Sequence, residues 1–98
     1  MIYMVTAWYP CDKIKTLMAA FKKAPKLPNY IKKWQTFGAA DGNIGYKGYN
    51  LIFVEEKASD EAAIFIAKMQ QHFVENVQGY MWKIEVLMSV KDALKVLS

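Results

Sequence analysis

The hydrophobic period switches along this chain in a fixed order, and that order leaves few ways to fold it. Ile2 to Tyr9 is a continuous β-branched and aromatic run, apolar on both faces. Ile2, Met4 and Trp8 lie on one side, Tyr3, Val5 and Tyr9 on the other. Such a strand belongs at the centre of a sheet covered on both sides. Pro10 stops it, and Asp12 stands where a helix cap is expected. Over Lys13–Lys23 the period changes to that of a helix, with Ile14, Leu17, Met18 and Phe21 at i, i+3, i+4 and i+7. Pro25 and Pro28 enforce a linker.

Tyr30–Ala40 reads as a strand of mixed polarity. The cluster Asp41-Gly42-Asn43 is a hairpin signal, and Tyr49–Glu56 is the next strand. Folding the pair about Asn43–Ile44 sets Lys32 opposite Glu55 and Trp34 opposite Phe53, with Gly45 or Gly48 available for a bulge that would shift the register. Ser59 or Asp60 caps a second helix to about Val77, with a core stripe of Ala62, Phe65, Ile66, Met69 and Phe73. Ile64 stands oddly within its polar arc. Gly79 supplies the stop. Met81–Met88 alternates as a last strand, and Val90–Leu97 closes the chain as a short helix. The order β-α-β-β-α-β implies an α+β fold. Two right-handed βαβ units form a four-stranded antiparallel sheet, with both helices on one face and a short C-terminal helix beyond. At 98 residues this is expected to be one domain, 1–98.

Composition bears on what the sheet's other face meets. Apolar residues make up 54% of the chain, with three Trp, six Tyr and five Phe. Two helices cover one face, yet the first and third strands are apolar on both. An open apolar sheet of this size exceeds what a monomer tolerates. A second copy packed sheet to sheet resolves this, so a homodimer is expected. The competing arrangement is the C-terminal helix folding over the open face of its own subunit.

The net charge of +4 comes from thirteen Lys with no Arg. Without the forked guanidinium, bidentate reading of guanine or phosphate has no instrument, which argues against nucleic acid. Lys22, Lys23, Lys26, Lys32 and Lys33 form an acid-free run, but strand order brings Lys32 beside Glu55 and leaves a solvated edge. Gly42, Gly45 and Gly48 fall in a hairpin rather than a strand-to-helix turn, so they make no phosphate loop. Cys11 is the single cysteine; a lone thiol with no partner fits a reducing compartment. The opening apolar run is too short for a leader or a membrane span, and a cytoplasmic, membrane-free protein is expected.

Tyr3-Met4-Val5 at the start, Leu27-Pro28 leading to Trp34, Leu51–Glu55, and Trp82–Val86 followed by the Ala-containing helix Ser89–Leu97 resemble the dimeric α+β-barrel proteins of ferredoxin-like fold. More narrowly, they resemble an uncharacterised family of stand-alone domains within them. The likeness spans nearly the whole chain through patterning rather than a signature. It implies the fold and the dimer; this superfold hosts many unrelated activities. Branches of the superfamily include small monooxygenases and haem-binding enzymes, so haem enters as an alternative cofactor that no residue pattern here requires. Those acting on haem place a His on a helix beside the cavity, with a strand Asn and a Trp nearby. His72, followed by Phe73, resembles that placement, whereas Met1–Tyr9 contains no such Asn.

Candidate ligand-binding residues are therefore Tyr3, Trp8, Trp34, Tyr49 and His72, the last being the one candidate catalytic group. As the single histidine at the edge of an apolar stripe, His72 reads either as a base or ligand, or as a hydrogen-bonded boundary residue. The aromatics either line a pocket for a flat hydrophobic molecule or are consumed in core and interface. No Cys/His spacing suits a metal. Three functions follow: a small-molecule pocket in a dimeric barrel, a protein-interaction module with no cavity, or, as the resemblance implies, a cofactor-poor monooxygenase-like or haem-binding enzyme.

Overall fold

The computed structural model describes residues 1–42 and 45–97. Strand β1 spans Ile2–Tyr9, helix α1 Ile14–Lys22, β2 Ile31–Ala40, β3 Tyr46–Val54, α2 Ser59–Asn76, β4 Met81–Leu87 and α3 Val90–Val96. All neighbouring strands are antiparallel, in the order β2-β3-β1-β4. The two-faced strand β1 is central, as its composition requires, and α1 and α2 lie on the same side of the sheet. No helix among the described residues is long and apolar enough to cross a membrane.

Both long helices begin differently from expectation. Neither Asp12 nor Ser59 or Asp60 caps them; the N-cap positions are Lys13 and Ala58, with no side-chain hydrogen bond. Each helix instead grows out of a 3-10 turn, Cys11–Lys13 or Glu56–Ala58. Lys13 N donates to Pro10 O and Ala58 N to Glu55 O, so each helix is entered through a backbone hydrogen bond of the preceding turn. Asp60 and Glu61 still favour the positive end of α2.

The hairpin register also departs from expectation. Trp34 pairs with Ile52, and Lys33 with Phe53. This register runs unbroken from Ala40–Tyr46 to Lys33–Phe53, and the one irregularity comes after it, between Ile31 and Lys33, not at Gly45 or Gly48. The extra residue frees Lys32 to reach Glu55 at 2.6 Å. Strand β3 starts at Tyr46, three residues earlier than its hydrophobic run suggests. The expected turn about Asn43–Ile44 lies outside the described residues.

Alternation from this register sorts the sheet into two faces. Toward the helices point Tyr3, Val5, Ala7 and Tyr9 of β1, with Tyr46, Gly48, Asn50, Ile52 and Val54 of β3 opposite them. Ile2, Met4, Trp8, Tyr49, Leu51 and Phe53 occupy the open face, all half-buried. There Lys47 Nζ lies 5.5 Å from the Trp8 ring and 5.1 Å from the Tyr49 ring, and Lys33 Nζ 5.9 Å from the Phe53 ring. Helix α3 does not cover this face. It buries none of its residues, and Leu97 just past its end is 83% exposed.

Candidate functional site

The rows of side chains that cross the sheet differ sharply in bulk. One row is Trp34, Ile52, Tyr3 and Val86, read from β2 to β4. The next is Thr36, Asn50, Val5 and Ile84. The third is Gly38, Gly48, Ala7 and Trp82, in which three adjacent strands present almost no side chain. Above the first row α2 supplies Ala62 and Ile66, and with Tyr3, Val5, Ile31, Ile52 and Val54 these form a closed core. Above the third row nothing of that size descends. A Cβ built on Gly38 meets no atom within 4 Å, and one on Gly48 meets only the Phe37 carbonyl oxygen at 3.9 Å.

The space left is a cavity of about 280 Å³. Gly38, Gly48 and Ala7 floor it. Helix α1 roofs it with Leu17, Met18 and Phe21, while Met69 and Phe73 of α2 close the back. Helix α1 carries the expected apolar stripe but does not press it onto the sheet, and Phe21 is 59% exposed. Phe21 instead stacks on Phe73, with ring centroids 6.4 Å apart and planes 2° from parallel. A second hollow under the linker, bordered by Pro25, Lys26 and Leu27, shares Phe21, Trp34, Thr36 and Met69 with the first. The mouth therefore opens between the end of α1 and the edge strand β2.

Two polar groups serve this apolar space. At the floor, Asn50 Oδ1 accepts from Trp34 Nε1 at 3.0 Å and from Thr36 Oγ1 at 2.9 Å, and its Nδ2 donates to Val5 O at 3.4 Å. This fixes the Trp34 ring as a wall. At the back, the buried Tyr80 hydroxyl donates to Oε1 of the buried Gln70 at 2.5 Å. Tyr80 packs 5.5 Å from Phe73 and stacks 6.5 Å from Tyr9. Burial, then the proximity of Tyr9, pushes the Tyr80 phenol well above its ordinary range, so it stays a neutral donor. Tyr9 is raised too, by burial and then by Tyr46.

Of the five residues picked from the sequence, only Trp34 lines this cavity. Tyr3 lies in the closed core, donating to Ser59 O at 2.9 Å. Trp8 and Tyr49 share the open face under Lys47. His72 joins the two helices: its Nε2 meets Ala20 O at 3.0 Å and its Nδ1 faces Asn76 Nδ2 at 3.3 Å. A ring nitrogen facing a carbonyl oxygen must carry the proton, leaving Nδ1 to accept from Asn76. Both nitrogens are thus engaged and neither faces the cavity, so the arrangement does not fit the haem placement implied by the family resemblance.

Asn50, Gln70, Tyr80 and the Gly38–Gly48 pair are the site residues that sequence reasoning passed over. Gln70 had a signal: it falls four residues after Ile66 and three before Phe73, inside the apolar stripe. The described residues contain no group of three or more His, Cys, Asp or Glu placed to hold a metal ion.

No family model matches this chain, and no curated protein matches it. Among solved structures, it matches a dimeric ferredoxin-like protein of unknown function from Thermobifida fusca. The TM-score is 0.50 at 12% identity, over 89% of this chain and 92% of that one. The fold is ferredoxin-like. At that identity the likeness speaks for the ferredoxin-like architecture alone, and the cavity stands on its own geometry.

Proposed function

We infer that this chain is a single domain that works as a homodimer and binds a small, flat, largely apolar molecule under α1. The observation that carries the reading is the cavity itself. It measures about 280 Å³, near the lower end of ligand pockets, and is apolar with a few oriented polar groups, as such pockets are. A mono- or bicyclic molecule suits its size. Dimerisation is supported by the apolar open face, which α3 leaves uncovered, and by the described dimeric state of the Thermobifida fusca protein. The exposed, unpaired Cys11 suits a reducing cytoplasm.

The test is native mass spectrometry of the full chain as purified from cells. The expected result is twice the chain mass with a small organic molecule retained. A Gly48→Val variant, which fills the floor, should give the same dimer without it. A monomer with no retained molecule in either protein would overturn the reading. The exposed apolar residues Val90, Leu94 and Val96 along α3 favour a second reading, a protein-interaction module. A ligand-free assembly that incorporates α3 would support that alternative.

A further inference from the structure

Gln70 is 1% exposed and sits among Ile66, Met69 and Phe73. A primary amide in such surroundings is costly unless both ends are hydrogen-bonded. Its Oε1 accepts from the Tyr80 hydroxyl. Its Nε2 donates to no group among the described residues. Yet no fully enclosed side-chain nitrogen or oxygen among them lacks a partner. The sliver of Gln70 that solvent reaches is therefore the amide nitrogen, and Gln70 lines the cavity. Asn50 and Trp34, the other N–H-bearing side chains there, are already engaged with each other and with Val5.

An uncommitted donor in an apolar space calls for an acceptor. The lining of this cavity contains no Lys and no other cation, so a carboxylate or phosphate would lose its hydration with no counter-charge to replace it. A neutral oxygen on an apolar ring system meets both conditions. We propose that the cavity selects neutral carbonyl compounds, a mono- or bicyclic ketone, quinone or lactam whose oxygen accepts from Gln70 Nε2, with Tyr80 as the positioning residue. This rests on the cavity reading above and adds the ligand's chemical class to it.

The test uses the full chain and two probes with the same bicyclic skeleton: 1-tetralone, which carries a carbonyl, and tetralin, which does not. Affinities are read by ligand-observed NMR titration. The wild-type protein should bind tetralone about fivefold more tightly than tetralin, the factor one neutral hydrogen bond supplies. Gln70→Leu should still bind tetralin and lose the preference. Because that change strands the Tyr80 hydroxyl, Tyr80→Phe serves as a second variant: the freed amide should show a reduced preference for tetralone over tetralin. Equal binding of both probes to the wild type would overturn the carbonyl proposal and leave the cavity reading intact. A preference that survives in Gln70→Leu would do the same. Binding of neither probe would remove both together.

Discussion

The two βαβ halves of this fold share one topology and differ in how their helices meet the sheet. Helix α2 lies over the row Tyr3, Ile52 and Trp34, and its Ile66 and Ala62 are sealed with Val5 into solid packing. Helix α1 lies over Gly38, Gly48 and Ala7, and stands off from them. Its stripe has the periodicity of a docked helix, but only Leu17 of it packs against the core, while Ile14, Met18 and Phe21 stay exposed. Phe21 meets Phe73 across the helices instead, and the floor stays bare. An amphipathic stripe shows which face of a helix turns inward; the volume of the facing side chains decides whether that face is filled. One half of the molecule is built for stability, the other around a space.

Core truncation should separate the halves most strongly. Ile66→Ala should cost about 2–5 kcal/mol in urea unfolding, because the closed core cannot collapse around the gap. Phe21→Ala, on the hollow side, should cost less than about 1 kcal/mol. Similar losses at the two sites would erase the distinction.

What rigidity the hollow half has should come from hydrogen bonds. Replacing Asn50 with Leu strands Trp34 Nε1 and Thr36 Oγ1 together, and should cost about 1–3 kcal/mol. The same variant should broaden the Trp34 indole resonance in NMR as the wall loosens.

Alkaline pH should act through the back of the cavity. The Tyr80 phenol is raised in the folded state, so the unfolded chain releases its proton first, from about pH 10. Stability from this group is complete below that pH and declines as pH rises beyond it. Tyr80→Phe should flatten the alkaline limb of a stability–pH profile, and an unchanged limb would mean that Tyr80 ionises freely when folded.

The smallest effect on stability should accompany the largest on binding. Gly48→Val puts a β-former in a strand interior with room to spare, so unfolding should shift by no more than about 1 kcal/mol, toward greater stability. Ligand binding should vanish. A variant that keeps its affinity would place the ligand elsewhere.

Much of the fold was legible because it rests on period and punctuation. Strand β1 ends at Ile2 and Tyr9 as its composition dictates, and β4 and α3 begin at Met81 and Val90 as expected. The register was not legible: from Ala40–Tyr46 onward the pairing runs one residue off the expected one, which moves Trp34 from Phe53 to Ile52 without leaving a mark in the pattern. The same blindness hid the site. Trp34 stands out as an aromatic, and Gln70 as a polar residue within an apolar stripe. That Gly38 and Gly48 face each other beside Ala7 emerges only once three strands are in register. Residues chosen for their chemistry alone went to both faces of the sheet.

The most direct test of the hollow half is a two-dimensional NMR titration of the isotopically labelled full chain with 1-tetralone. The account predicts saturable shifts at the Gly38 and Gly48 amides, the Trp34 indole N–H and the backbone of Met18 and Phe21, with Trp8, Tyr49 and α3 unmoved. Shifts confined to the open sheet face or α3, or none at all, would contradict it.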